Sequence, residues 1–144
     1  MDGHQSNLNL KESVPILIVD DEEMMRNLLQ KILKREGYKT LTAANGKEAL
    51  QLMEKNEVDI VISDLKMPEF DGFALLKELK QTHPHVGVII MTAYGDTYTV
   101  KDALLLGADE YITKPFKSHE ITLVVERTYW RILSSRMRST PGNS

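Results

Sequence analysis

The stretch PILIVDDEE, residues 15–23, decides how the chain is read. Four apolar residues, Ile16–Val19, run without a break into four acids, Asp20, Asp21, Glu22 and Glu23. A half-exposed strand alternates in polarity. A continuous apolar run of this length belongs to a strand covered on both faces, as in a parallel sheet. Four adjacent carboxylates at the end of such a strand repel one another, so something must make the arrangement tolerable.

Outward from this run the pattern repeats. Met25, Leu28, Leu29, Ile32 and Leu33 recur at helical spacing and stop at Gly37. KTLTA, residues 39–43, is a weaker strand, and Asn45 with Glu48 forms a cap-like pair before a helix. VDIVIS (58–63) is the third strand, and Asp71 caps a helix bearing Phe73, Leu76 and Leu79. VGVIIMT (86–92) is the fourth, with a helix over 97–106 that ends at Gly107. EYIT (110–113) is the fifth. Ser118 caps the last helix, with Ile121, Val124, Val125, Thr128 and Ile132 on one face. Strand and helix alternate five times, which predicts an α/β fold, (βα)5, with helices on both faces of a parallel sheet. Residues 1–13 are expected to form a flexible arm, 14–135 one domain, and 136–144 a fraying tail.

Composition narrows the classes. Of 144 residues, 42 % are hydrophobic and 27 % charged, which suits a buried core. A net charge of -3 argues against nucleic-acid binding through a basic surface. No cysteine is present, which excludes disulfides, thiolate metal sites and a Cys nucleophile. No apolar run approaches the roughly 20 residues needed to cross a bilayer, and the N-terminus lacks a secretory h-region. The expectation is a cytoplasmic protein with no membrane partner.

In open α/β sheets ligands bind beyond the carboxyl ends of the strands. Asp20 and Asp21 end the first strand, Asp64 the third, Thr92 the fourth and Lys114 the fifth. Three acids in one pocket invite a hard divalent cation, Mg²⁺ (or Mn²⁺), which also shares phosphate oxygens. A carboxylate can serve as nucleophile and form an aspartyl-phosphate. Asp64, alone on a central strand, suits that role. Asp20 and Asp21 suit the metal, and Lys114 and Thr92 suit the outer phosphoryl oxygens. Glu22 and Glu23 read as first-turn helix charges.

Together ILIVDDEE (16–23), DIVISDLKMPEFDGF (59–73), VIIMTAYG (88–95) and GADEYITKPF (107–116) resemble the receiver domain of bacterial two-component response regulators. The resemblance spans residues 14–135. It implies a flavodoxin-like sheet of order 2-1-3-4-5, an order the chemotaxis receiver typifies. It implies Asp64 as phosphoacceptor, Asp20 and Asp21 as metal ligands with the Lys66 backbone carbonyl, and Thr92 and Lys114 on the phosphoryl group. Tyr111 matches an aromatic switch that turns inward when Thr92 is drawn to the phosphoryl group. A cis peptide between Lys114 and Pro115 is implied as well. The implied partner is a sensor histidine kinase or histidine phosphotransfer protein, docking at Met24, Met25, Arg26, Pro115 and Phe116. The face formed by residues 100–106, Tyr111 and 118–132 is the expected reporting surface and homodimer contact. Lys66 and Tyr94, each two residues beyond a site residue, are expected to tune phosphoryl lifetime by hindering water.

Other readings fit less well. A haloacid-dehalogenase-type phosphatase wants an acid two residues after its nucleophile, where this chain has Lys66. A flavin module wants a glycine- and hydroxyl-rich loop after the first strand, where this chain has DDEEMM. A degenerate receiver acting only as a binding module conflicts with the intact Asp64, Thr92 and Lys114. His83 and His85 read as solvated loop residues. Arg127, Arg131, Arg136 and Arg138 read as a solvated helix end.

Overall fold

The apolar runs form the strands they predict. The computed structural model describes residues 11, 13–68, 70–93 and 100–138. In chain order these are β1 (Ile16–Val19), α1 (Glu23–Arg35), β2 (Thr40–Ala43), α2 (Gly46–Lys55), β3 (Ile60–Asp64), α3 (Gly72–Thr82), β4 (Gly87–Ala93), α4 (Val100–Leu105), β5 (Glu110–Lys114) and α5 (Ser118–Arg138). All strand pairs are parallel, in the order β2-β1-β3-β4-β5.

Side-chain alternation splits the three central strands, β1, β3 and β4, between two cores. Ile16, Ile18, Ile60, Ile62, Ile89 and Met91 pack with Leu29 and Leu33 of α1 and Ile121, Val125 and Tyr129 of α5. Leu17, Val19, Val61, Val88 and Ile90 pack with Ala49 and Met53 of α2, Leu75, Leu76 and Leu79 of α3, and Ala103 of α4. The sheet is therefore covered on both faces, which is why its central strands need no polar side. β2 is the weaker strand because it lies at the edge, where Thr40, Leu41 and Thr42 stay half-exposed.

The punctuation is chemical. α1 ends where Gly37, at φ 98°, lets its own N–H donate to Lys34 O and that of Tyr38 to Leu33 O. Gly107, at φ 99°, closes α4 in the same way. Asn45 accepts from Glu48 N at 2.8 Å while Glu48 reaches back to Ala44 N at 2.9 Å. Asp71 accepts from Ala74 N at 2.9 Å.

Three expectations shift. Ser118 is not the cap of α5 but its first residue; the Lys117 carbonyl accepts from Glu120 N and Ile121 N, and Glu120 reaches back to Lys117 N at 2.6 Å. α5 runs past the expected boundary at 135: it continues through Arg138, and Arg136 pairs with Asp59 at 2.6 Å. That pair lies off the apolar stripe, so periodicity does not show it. At the other end, Lys11, within the segment expected as an arm, touches the folded body. Its carbonyl accepts from Val14 N at 3.1 Å, and its ammonium sits 5.2 Å from the Tyr38 ring centroid.

Candidate acceptor site

The register carries Asp20, Asp64 and Lys114 to one rim. β1 pairs with β3 up to Val19↔Ser63, so Asp20 and Asp64 are the next residues along two adjacent strands. β4 carries the pairing on to Ala93↔Lys114. Lys114 Nζ stands 3.1 Å from Asp20 Oδ2 and 3.3 Å from Asp64 Oδ1. Asp21 completes a set of three carboxylates, each offering an oxygen within 4.8 Å of the others. Opposite oxygens of an octahedral Mg²⁺ lie about 4.2 Å apart, twice the usual metal–oxygen distance of about 2.1 Å. The all-oxygen set therefore fits a hard divalent cation with little movement.

Electrostatics agree. Burial, opposed by the Lys114 ammonium and reinforced by the Asp20 and Asp21 carboxylates, pushes the Asp64 carboxyl up to about 6. Burial alone lowers the Lys114 pKa, but the Asp64 and Asp20 carboxylates outweigh it and hold the ammonium above its ordinary value. One lysine thus offsets three acids only in part, and the remaining charge is what a cation would neutralise.

The backbone under these groups is tightly held. Asp20 is fully buried; its N–H donates to Ala43 O at 3.1 Å and its Oδ1 accepts from Glu22 N at 2.9 Å. Beside Asp64, Leu65 N donates to Met91 O at 2.9 Å and Ser63 Oγ to Asp64 O at 2.9 Å. The start of α3 presses on the same peptide: Gly72 N donates to Leu65 O at 2.8 Å, and a Cβ at Gly72 would lie 2.4 Å from Asp64 O.

The other expected residues divide. Thr92 is buried at the end of β4, and Tyr111, 39 % exposed, registers with Ile90. Thr92 lies two residues past Ile90, so Thr92 and Tyr111 project from the same sheet face. Lys66 is exposed two residues after Asp64. Tyr94 lies outside the described residues. The Lys114–Pro115 bond is cis. Of the residues expected to dock a donor, Met24 is 86 % exposed and Pro115 is exposed, whereas Met25 and Phe116 pack against the α1–α5 core. Arg26 is engaged too: its Nη1 donates to Asp20 O at 2.7 Å. That contact and Gly72 escape a reading of the sequence, because neither follows a motif spacing. The arginines of α5 are not simply solvated. Arg127 and Arg131 clasp Glu110 at 2.9 and 2.8 Å.

Comparison with known proteins agrees with this geometry. The family described as response regulator receiver domain matches residues 16–126. The sporulation initiation phosphotransferase F of Bacillus subtilis is 42 % identical over 112 residues, covering 78 % of this chain and 90 % of that protein. The regulatory protein AtoC of Escherichia coli is also 42 % identical over 112 residues, but the match covers 78 % of this chain and only 24 % of AtoC. This chain spans about a quarter of that relative's length. A crystal structure of a response regulator receiver domain protein from Clostridium thermocellum superposes with a TM-score of 0.77 at 33 % identity, covering 82 % of this chain and 95 % of the other. Among the described residues no helix is long and apolar enough to cross a membrane.

Proposed function

The chain belongs to the response regulator receiver domain family, and from that premise we propose that it is a phosphoryl-accepting switch whose acceptor is Asp64. The observation that carries this reading is Lys114 Nζ bridging Asp20 and Asp64 at 3.1 and 3.3 Å beside a third carboxylate. The donor is a phosphohistidine on a sensor kinase or histidine phosphotransfer protein, and the setting is the cytoplasm.

An Oδ of Asp64 attacks phosphorus in line. The new O–P bond forms as the P–N bond to the histidine breaks, and the electron pair returns to the imidazole nitrogen. Asp20, Asp21, Asp64 and the Lys66 carbonyl would hold Mg²⁺ or Mn²⁺, which when bound neutralises charge on the phosphoryl oxygens. Lys114, kept protonated by its carboxylate neighbours, turns its ammonium to one phosphoryl oxygen, and the Thr92 hydroxyl donates to another. Moving Thr92 opens room on the sheet face it shares with Tyr111, which biases an existing equilibrium toward an inward tyrosine. Residues 100–106, Tyr111 and 118–132 then present an altered surface, for an output partner or a second copy. The chain turns over no separate substrate; its chemistry is its own phosphorylation and slow hydrolysis.

Docking of the donor falls to the exposed Met24 and Leu28 on α1 and to Pro115, together with the half-buried Met25, Arg26 and Phe116. Lys66 and Tyr94 tune the lifetime, and substituting both is expected to change the dephosphorylation rate. Treatment with acetyl phosphate, borohydride trapping and peptide mapping test the acceptor. Modification confined to Asp64 supports the reading, and modification at another residue contradicts it.

A further inference from the structure

Asp20 is anchored at four atoms. Its N–H donates to Ala43 O, its Oδ1 accepts from Glu22 N, its Oδ2 faces Lys114 Nζ, and its carbonyl accepts from Arg26 Nη1. Asp21, the third acid, is different. It is exposed, and among the described residues no hydrogen bond or ion pair is made by its carboxylate. Its direction is therefore set by the backbone that carries it. That backbone begins with the Asp20–Asp21 peptide, whose oxygen is the atom Arg26 grips at 2.7 Å.

We propose that Arg26 is a positioning residue of the acceptor site: by fixing the Asp20–Asp21 peptide it aims the Asp21 carboxylate at the cation, and so sets divalent-ion affinity. The β1–β3 ladder ends at Val19↔Ser63, so it does not hold this carbonyl. A charge-assisted bond from a guanidinium is short and directional, and suits the task. Arg26 also sits on α1 one residue past the half-buried Met25, with its own N–H donating to Glu22 O at 3.1 Å. The guanidinium thus ties the helix to the acidic turn without spending a ligand position. Outer groups that orient metal ligands commonly change affinity by about 10–100-fold when removed.

This inference rests on the cation-assisted reading of the site, and its test separates the two. Arg26→Met keeps the apolar stem and loses the donor; Arg26→Lys keeps the charge and loses the fork. The full chain is titrated with Mg²⁺ by calorimetry, and its thermal unfolding is followed in parallel. The expected result is a Kd about tenfold weaker in Arg26→Met and intermediate in Arg26→Lys, with phosphoryl uptake from acetyl phosphate recovering at saturating Mg²⁺. Unchanged Mg²⁺ affinity in a variant that merely unfolds at lower temperature overturns the proposal, because Arg26 would then be structural alone. Should Arg26→Met fail to fold, Arg26→Lys decides by the same affinity criterion. A wild-type chain that binds no Mg²⁺ overturns both readings. A wild-type chain that binds Mg²⁺ but takes up no phosphoryl group overturns the proposed function alone.

Discussion

The ammonium of Lys114 lies 3.1 Å from a carboxylate oxygen of Asp20, 94 residues earlier in the chain. The contact crosses from the end of β5 to the end of β1, with Asp64 between them on β3. Four strands, β1, β3, β4 and β5, must be in register for it to form, so it reports on most of the C-terminal rim. Asp20 is fully buried and Lys114 is 17 % exposed. Replacing Lys114 with Ala leaves Asp20 buried without its ion pair, which is expected to destabilise the chain by about 3 kcal/mol. Part of that loss should return on adding millimolar Mg²⁺, as followed by urea unfolding, and phosphoryl uptake should fall steeply.

Asp64 gives the site a pH signature. Burial, only partly opposed by Lys114, pushes its carboxyl up to about 6 from an ordinary value of 3.8. The metal-free folded chain therefore holds a proton that the unfolded chain has already released between about pH 4 and 6. Stability must fall as pH rises through that window, by up to roughly 3 kcal/mol. Asp64→Asn removes the penalty. In chelator, the variant should match wild type near pH 4 and exceed it by about 1–2 kcal/mol at pH 7.5. Added Mg²⁺ should stabilise wild type and do much less for the variant. Urea melts at several pH values check both.

Gly72 is constrained by approach rather than by dihedral angle. A methyl group there would lie 2.4 Å from Asp64 O and 2.8 Å from Leu65 Cα, both backbone atoms with little room to move. Gly72→Ala is expected to lose about 1–3 kcal/mol of stability. It should also weaken Mg²⁺ binding in calorimetry, since the displaced peptide carries Asp64.

Tyr38 makes the opposite case. Its hydroxyl is buried, has no hydrogen-bond partner among the described residues, and has its pKa raised, chiefly by burial. Its ring packs edge-on to Tyr129 at 5.8 Å. Tyr38→Phe keeps the ring and deletes the orphan hydroxyl. Thermal unfolding should show stability unchanged or raised by about 1 kcal/mol. A clear loss would mean that the hydroxyl is paired in solution.

Much of this was legible in the residues. Continuous apolar runs such as Ile16–Val19 announced strands covered on both faces. Gly37 and Gly107 announced helix ends that need a positive φ. The placing of Asp20, Asp64 and Lys114 at strand ends announced that these side chains meet at one rim. What stayed hidden depends on three-dimensional approach. Arg26 reaches a backbone carbonyl six residues back, a contact with no side-chain code. Gly72 reads as an ordinary residue after a cap until the Asp64 peptide is seen against it. α5 outlasts its apolar stripe because Arg127, Arg131 and Arg136 find acids at the starts of strands distant in sequence.

The proposed function requires a cation among three acids for Asp64 to accept phosphorus. Intact-mass measurement after acetyl phosphate treatment, with Mg²⁺ and with chelator, tests this most directly. Wild type should gain one phosphoryl mass only with Mg²⁺, and Asp64→Asn should gain none. An equal gain in chelator, or a gain that persists in Asp64→Asn, would contradict it.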